Sequence, residues 1–316
     1  MTDADVVLGR IDPAYFAGGS IALRPALAGA AIDKAVGEPL GLKRLEAAFG
    51  IGEVVEENMA NAARVHAVER GKELESRTLI AFGGAAPLHA ARLAEKLGIR
   101  RVLVPAGAGV GSAFGFLRAP VAYEVARSRY VRLDDSFDPA FVDALFAEMR
   151  AEAEAVVKAG APDAVLTETR TADMRYRGQG HELAVTLPVE GAGARGRLAA
   201  LFEAAYASTF GRIIPGLDVE IMNWTLRLAA AQELPPPCPP QPPDKAVQPR
   251  GMRALFSAAE LAMQEVPVYR RDDLDAGSVV PGPAVIAEDE TTTIVPQGFV
   301  ARIDPLGSII LDKETP

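Results

Sequence analysis

Apolar positions recur at helical spacing in the first part of the chain, over residues 24–36 and 42–70. Gly50 and Gly52 interrupt the second run, which leaves open whether it forms two helices or one kinked helix. Gly71 follows as a plausible C-terminal stop. The pattern therefore predicts helices over residues 24–36 and 42–70, after an irregular stretch at residues 1–20 and before the first strand.

A strand–helix–strand unit follows. The continuous apolar run TLIAF (78–82) predicts a strand covered on both faces. A short helix is expected over residues 87–97, with Gly98 as its stop, and RVLVP (101–105) predicts a second buried strand. Such a unit predicts two parallel strands joined by a crossover helix.

The remaining sequence predicts mostly strands, broken by two helices and a proline-rich stretch. Residues 138–160 have an amphipathic helical pattern, and a second helix is expected over 197–209. The phrase ETRTADMRYRGQGHELAVTLP predicts two strands joined through Gly178 and Gly180. Further strands are expected at 219–230 and in the last 50 residues, and residues 234–249 read as a polyproline-like linker or surface loop.

Composition narrows the class of protein. With 316 residues the chain is long enough for roughly two domains. Its net charge of −9 and the absence of a basic stripe argue against nucleic acid as a partner. The single cysteine, Cys238, excludes a disulfide framework. No signal-peptide pattern and no run of 18 apolar residues occur, so we expect a cytoplasmic protein without a membrane span.

The turn between the first strand and its helix is the leading candidate for a binding site. Gly83 and Gly84 let a ligand approach the backbone closely, and the helix that starts near Pro87 directs backbone N–H groups to the same space. The bland alternative is a strand-to-helix turn that needs glycine only for its angles. The glycine-rich run 107–115 does not fit a dinucleotide fingerprint and is expected to pack against the Gly83 turn.

Two further residues are candidates for chemistry. His89, on the first turn of the helix, could titrate near neutral pH, or it could be a polar residue near the helix end. Asp3 and Asp5 form a carboxylate pair near the start, where the alternative is a solvated terminus. His66 and His181 lack a second histidine or cysteine at ligand spacing, so no metal site is predicted.

Six long phrases, in order, resemble the hydantoinase A / 5-oxoprolinase family, to which acetone-carboxylase-type subunits are related. These phrases are TDADVVLGRIDPAYFAGG, EENMANAARVHAVERG, AFGGAAPLHAARLAEKLGIRRVLVPAGAGVGSAFGFL, DMRYRGQGHEL, VEIMNWTLR and GPAVIAEDETTTIVPQG. The resemblance implies an α/β fold, half of an actin-like (ribonuclease-H-type) ATPase domain followed by a β-rich α+β domain. It places the ATPase part at residues 1–122 and the β-rich C-terminal domain at residues 123–316.

The resemblance also implies a function. Family members use ATP and Mg²⁺ to open cyclic amides such as hydantoin or 5-oxoproline, often with a hydantoinase B-like subunit. It implies that Gly83, Gly84, Ala85, Ala86 and Pro87 contact the adenosine side of the nucleotide, although the family usually has glycine at the position of Ala86. It suggests His89 and Asp3 as candidate catalytic residues.

One departure from the family limits what the chain can do alone. Family members are about twice as long, and their phosphate loops are absent from these 316 residues, as is the G-x-x-x-x-G-K-[ST] loop that could replace them. We therefore expect the chain to be inactive without the phosphate-binding half as a partner. Two alternatives stay open: a non-catalytic assembly subunit, and a subunit of an acetone-carboxylase-type ATP-dependent carboxylase.

Overall fold

The computed structural model describes residues 1–191 and 194–314. The α-helices are α1 (Thr2–Val7), α2 (Pro25–Ile32), α3 (Glu38–Leu40), α4 (Arg44–Glu69), α5 (Ala86–Leu97), α6 (Gly111–Arg118), α7 (Pro139–Gly160) and α8 (Arg195–Phe210). The strands are β1 (Thr78–Ile80), β2 (Arg101–Val104), β3 (Ala122–Arg132), β4 (Leu166–Tyr176), β5 (Leu183–Leu187), β6 (Val219–Ala230), β7 (Lys245–Ala246), β8 (Gly251–Ser257), β9 (Ala262–Arg270), β10 (Ser278–Pro281), β11 (Ala284–Ala287), β12 (Thr292–Val295), β13 (Phe299–Ile303) and β14 (Ile309–Lys313).

The chain divides into two compact units that do not follow one another in sequence. One unit contains residues 1–117 together with 236–316, and the other contains residues 118–235. The boundary expected at residue 122 lies close to the first of these two junctions. The second junction falls at the start of the proline-rich stretch, where Leu234 is 92% exposed and the backbone forms no helix or strand until β7.

The first unit is built on a six-stranded sheet in the order β1-β2-β14-β13-β10-β7. β1 and β2 are parallel, as the strand–helix–strand pattern predicts. β14, the last strand of the chain, pairs antiparallel with β2 and with β13. β14 therefore lies in the same sheet as β1, the strand that leads into the glycine turn. Its backbone groups are paired with neighbouring strands on both sides.

A second sheet of four strands, in the order β12-β11-β9-β8, belongs to the same unit. The sequence EDETTT (residues 288–293) covers the loop between β11 and β12 and the first two residues of β12, and β11 itself is buried along its length. The two sheets and the α5 helix share a core. The residues of this core include Ala94, Val102, Val280, Phe299 and Leu311.

The second unit is an antiparallel sheet, β3-β6-β4-β5, on which α7 and α8 pack. β4 and β5 form the pair joined through Gly178 and Gly180 that the sequence predicts. Trp224 stands edge-on to Phe146 with ring centroids 5.8 Å apart, and Tyr176 meets Phe202 at 4.8 Å. Aromatic residues are scarce in the chain, and among the described residues five are buried in this core: Phe146, Tyr176, Phe202, Tyr206 and Trp224.

The structure excludes one alternative that the sequence left open, two separate helices over residues 42–70, and it contradicts the expectation for β1. Gly50 and Gly52 do not break the helix, because α4 runs unbroken for 26 residues and buries small residues along one side. β1 is not covered on both faces: it is a terminal strand of its sheet, and the side chains of Ile80 and Phe82 are 56% and 57% exposed. An apolar run predicts a buried strand only when helices or a second sheet cover both of its faces.

Among the described residues, none of the helices combines the length and apolar composition that crossing a membrane would require.

Candidate functional site

The predicted glycine turn leaves β1 and enters α5. Gly83 has φ of 110°, a conformation that residues with a Cβ rarely adopt, and its N–H donates to the carbonyl oxygen of Ala108 at 2.6 Å. The helix begins at Ala86, one residue before the predicted start, and Pro87 is buried in its first turn. Gly84 and Ala85 are exposed at the tip of the turn. This tip is where a ligand can reach backbone groups without meeting a side chain.

The glycine-rich run after β2 supports this turn. Besides the bond from Gly83 to Ala108, a Cβ on Gly111 would touch the Phe82 ring at 3.4 Å. The prediction that this run packs against the Gly83 turn is confirmed.

A cavity of about 540 Å³ opens beside Gly84. Three chain segments form it, and sequence reasoning identified only the glycine turn as part of a site. Its lining residues are Ile11, Asp12, Tyr15, Phe16, Ala17, Gly18, Gly84, Leu88, Ala287, Glu288, Asp289, Glu290, Thr291 and Thr292. The signal that was overlooked is the cluster EDE directly after a buried strand, since polar residues at a strand end often line a site.

Hydrogen bonds fix the EDETTT loop against the turn. The hydroxyl of Thr291 donates to the carbonyl oxygen of Gly84 at 2.9 Å, and the N–H of Glu288 donates to the Thr291 carbonyl at 2.9 Å. The N–H of Gly18 donates to the Asp289 carbonyl at 3.0 Å. These bonds join all three segments that form the cavity.

Tyr15, an aromatic residue that lines the cavity, contacts two charged side chains. The phenol of Tyr15 donates to Asp289, and the guanidinium of Arg270 lies 3.8 Å from the centre of the Tyr15 ring. Arg270 also pairs with Asp289 at 3.1 Å. The pairing lowers the pKa of Asp289, mainly through the hydrogen bond from Tyr15.

Glu288 is the residue of the cavity lining whose pKa is shifted furthest from its ordinary value. Burial raises the pKa of its carboxyl to about 7, nearby Arg271 opposes that rise, and Glu290 and Asp272 add to it. In the described structure its Oε1 atom is shut off from solvent and has no hydrogen-bond partner. Near neutral pH the side chain therefore exchanges a proton.

Behind the turn, His89 sits in a buried cluster with Asp5, Arg10 and Glu56. Its Nδ1 lies 2.9 Å from Oε1 of Glu56, and its Nε2 lies 3.5 Å from Oδ2 of Asp5. Nη1 of Arg10 is 3.3 Å from both carboxylates and 3.2 Å from Nδ1 of the ring. With a protonated ring, one nitrogen donates to Glu56, the other faces Asp5, and two positive groups balance two negative ones.

The pKa of His89 is raised. Burial is the largest influence and opposes protonation, but the hydrogen bonds to Asp5 and Glu56 outweigh it. His89 itself is 7% exposed. The ring therefore binds a proton more readily than a free histidine does, and it lies beneath the turn, set back from the cavity lining.

Asp3, the other predicted catalytic residue, lies elsewhere. It is exposed on α1, and in the described part of the chain no hydrogen bond or ion pair joins it to His89. Two residues along the same helix, Asp5 points to the opposite side and is buried. The sequence offered both carboxylates of this pair and singled out Asp3, but it could not show which of the two is buried, because α1 is too short to show a periodic face.

The residues at the turn fit the adenosine side of a nucleotide better than the described residues fit Mg²⁺. The exposed backbone of Gly84 and Ala85 can accommodate the adenosine side of a nucleotide. Mg²⁺ finds less support, since no group of three or more histidine, cysteine or acidic residues suited to a metal ion occurs among the described residues.

Comparisons with known families identify the family of the chain. A family model described as hydantoinase/oxoprolinase matches residues 1–125, and one described as hydantoinase/oxoprolinase C-terminal domain matches residues 140–312. The chain belongs to the hydantoinase/oxoprolinase family. The caprolactamase subunit alpha of Pseudomonas jessenii is 32% identical over 96% of this chain and 45% of that relative. The family resemblance found in the sequence is confirmed.

Solved structures extend the match to the fold. The ATP-dependent caprolactamase from Pseudomonas jessenii matches with a TM-score of 0.78 at 30% identity, over 99% of this chain and 46% of that one. Nucleotide-free acetone carboxylase matches with a TM-score of 0.72 at 26% identity, again over 99% and 46%. These matches confirm the predicted α/β, actin-like fold class. This family member spans less than half the length of these relatives.

Proposed function

We propose that this chain is the adenosine-binding part of an ATP-dependent enzyme that opens cyclic amides such as caprolactam, hydantoin or 5-oxoproline. The observation that carries the proposal is the turn Gly83–Pro87, which opens into a cavity in a chain that matches an ATP-dependent caprolactamase along nearly its whole length. ATP, when bound, supplies the activation that lets water open an unreactive amide. The chain's own contribution is to seat the adenosine and to shape the cavity beside it.

The triphosphate and Mg²⁺ are held, in this proposal, by a phosphate-binding part outside these 316 residues. Phosphoryl transfer depends mainly on positioning and on neutralising charge. The cavity beside the turn is lined by Asp12, Glu288, Asp289 and Glu290, which suits neither task. A hydantoinase B-like subunit is a second proposed partner, and caprolactamase and acetone carboxylase relatives carry subunit names. A cytoplasmic location belongs to the same proposal.

β1 offers an edge for the phosphate-binding part. It ends the six-stranded sheet, its outer side has no strand partner among the described residues, and Ile80 and Phe82 beside it are exposed. A strand edge flanked by apolar side chains pairs readily with another strand. We propose that the phosphate-binding part adds its strand here.

His89 enters the proposal as a positioning residue. Its ring joins α5 to α1 and α4 through Asp5 and Glu56, so it fixes the helix whose first turn carries Ala86 and Pro87. Asp3 is kept as a candidate for contact with a partner, because it is exposed near the start of the unit.

Two measurements test this function. The purified chain alone should hydrolyse no ATP in the presence of caprolactam or 5-oxoproline, and turnover should appear when the phosphate-binding half of a relative is added. ATP and ADP should raise the melting temperature of the wild-type chain, and Gly84→Asp, which places a negative group at the tip of the turn, should abolish that shift. Lactam-dependent turnover by the isolated chain would sink the proposal.

The structural match to acetone carboxylase supports carboxylation as the second candidate function. Turnover that requires both a ketone and bicarbonate, with no product from a lactam, would select it. If millimolar nucleotide leaves the melting temperature unchanged and no added half restores turnover, the chain is a non-catalytic assembly subunit.

A further inference from the structure

The cavity beside the glycine turn combines acidic groups with apolar walls. Asp12, Glu288, Asp289 and Glu290 contribute carboxyl groups, while Ile11 and Leu88 contribute aliphatic surface. Within the described residues, its lining contains no lysine, arginine or histidine side chain. A pocket of this size, with apolar surface beside acidic and hydroxyl groups, suits a small ring-shaped ligand that carries a hydrogen-bonding group.

We propose that this cavity binds an uncharged ring bearing a hydrogen-bond acceptor, and that the carboxyl group of Glu288 donates a hydrogen bond to that acceptor. The inference rests on the proposed function, whose ligands include two such rings. A lactam offers its carbonyl oxygen, and adenine offers its ring nitrogens. Both have the shared chemistry, and the experiment below separates them.

The charges around the cavity exclude anionic ligands. Asp289 is neutralised by Arg270 at 3.1 Å, and Asp12 lies 3.8 Å from Arg253. Arg270 is committed to Asp289 and Tyr15, and neither arginine is among the residues that line the cavity. The carboxylate of Glu290 has no ion-pair partner among the described residues, so it would repel an anion entering here, and that anion would also lose its hydration. The preferred substrate class is therefore a lactam without a charged substituent.

Glu288 can be the donor because it lines the cavity, its Oε1 has no hydrogen-bond partner among the described residues, and part of its population is protonated at neutral pH. Burial raises its pKa to about 7, against the pull of Arg271 and with the support of Glu290 and Asp272. The other titratable groups on the segments around it are Asp12, Tyr15 and Asp289. A protonated carboxyl has one O–H to donate, whereas an ionised one only accepts. Ionisation above pH 7 removes the donor and places a negative charge at the cavity wall.

A matched pair of ligands tests the charge argument. 2-Pyrrolidinone and 5-oxoproline share the same five-membered lactam ring, and only the second carries a carboxylate. The purified chain is titrated with each, with ε-caprolactam and with adenosine, at pH 6 and pH 8.5, and binding is followed by NMR chemical shifts. We expect 2-pyrrolidinone to bind at least tenfold more tightly than 5-oxoproline at pH 6. Its Kd should rise roughly tenfold for each pH unit above about 7.

Variants of Glu288 test the donor. Glu288→Gln keeps a hydrogen-bond donor that does not titrate, so binding at pH 6 should persist and its pH dependence should disappear. Glu288→Ala should weaken binding about tenfold at pH 6. Glu260→Gln, an exposed glutamate outside the cavity lining, is the matched control and should behave as wild type.

The outcomes separate the inference from the proposed function. If lactams bind and adenosine does not, the cavity is a substrate site. If adenosine binds and lactams do not, the cavity is the site for the adenine base. Either result supports the inference. Equal binding of 5-oxoproline and 2-pyrrolidinone, no detectable binding of any uncharged ring, or an unchanged pH dependence in Glu288→Gln overturns it. Because binding is measured without turnover, failure of the added half to restore ATP hydrolysis counts against the proposed function alone.

Discussion

Replacing Arg10 by methionine should destabilise the first unit more than any other single change in charge. Arg10 lies between the carboxylates of Asp5 and Glu56, 3.3 Å from each, with side-chain exposures of 13%, 3% and 0% respectively. Methionine retains much of the apolar stem but leaves two buried carboxylates with one cation fewer. Breaking a buried ion pair by removing one partner costs about 3–5 kcal/mol.

We expect a loss near the lower end, about 3 kcal/mol, because His89 still contacts both carboxylates. The same change should raise the pKa of His89 further, since the positive charge of Arg10 opposes protonation of the ring. Urea unfolding at pH 7, followed by far-ultraviolet circular dichroism, measures the first effect. NMR titration of the His89 ring measures the second.

Arg92→Met is the matched control, because Arg92 also pairs with a glutamate of α4, Glu53, but its side chain is 36% exposed. An exposed pair of this kind contributes about 0–1 kcal/mol. If Arg10→Met lowers the free energy of unfolding by no more than Arg92→Met does, Arg10 does not stabilise the two buried carboxylates, and the reasoning from burial is refuted.

Three further predictions concern pH, packing and the second unit. Both His89 and Glu288 have raised pKa values, so the native state binds more protons than the unfolded chain, and the free energy of unfolding should fall as pH rises from about 4.5 through 7 and beyond. Glu288→Gln should therefore raise the free energy of unfolding at pH 8 by about 2–3 kcal/mol. Urea titrations that give a lower value for the variant than for wild type would contradict this. Gly109→Ala would place a Cβ 2.4 Å from Cβ of Glu290 and should cost about 1–3 kcal/mol, whereas Gly115→Ala, with open space around it, should not destabilise by the same assay. Phe202→Ala should cost about 3–5 kcal/mol, detected as an earlier transition in Trp224 fluorescence, and an unshifted transition would show that the ring is not part of that core.

The local elements of the glycine turn were predictable because short-range chemistry determines them. A strand, two glycines and a helix that starts near proline follow from propensities that act within a few residues. The crossover between β1 and β2 follows from a general rule about handedness and length. These features needed no knowledge of distant parts of the chain.

The cavity was not predictable, because its other walls come from far along the sequence. Glu288 lies beside Gly84 only because the β11–β12 loop folds back onto the turn, and Thr291 to Gly84 spans 207 residues. Likewise, the raised pKa of Glu288 depends on burial that no local pattern reveals. The exposure of β1 was not predicted for the same reason. An apolar run shows that the faces of a strand can be buried, but it does not show whether a distant part of the chain covers those faces.

The position of β14 in the central sheet has a consequence for how the protein is made. Arg101 at the end of β2 pairs with Asp312 in β14, across 211 residues of sequence. During synthesis β2 therefore waits for almost the whole chain, including all of the second unit, before its antiparallel neighbour exists. Late closure of such a long-range pairing slows folding and leaves an apolar edge open in the nascent chain. The second unit has its own local sheet and can fold first, so chaperone dependence should concentrate on the interval between the completion of residue 235 and the arrival of residue 313.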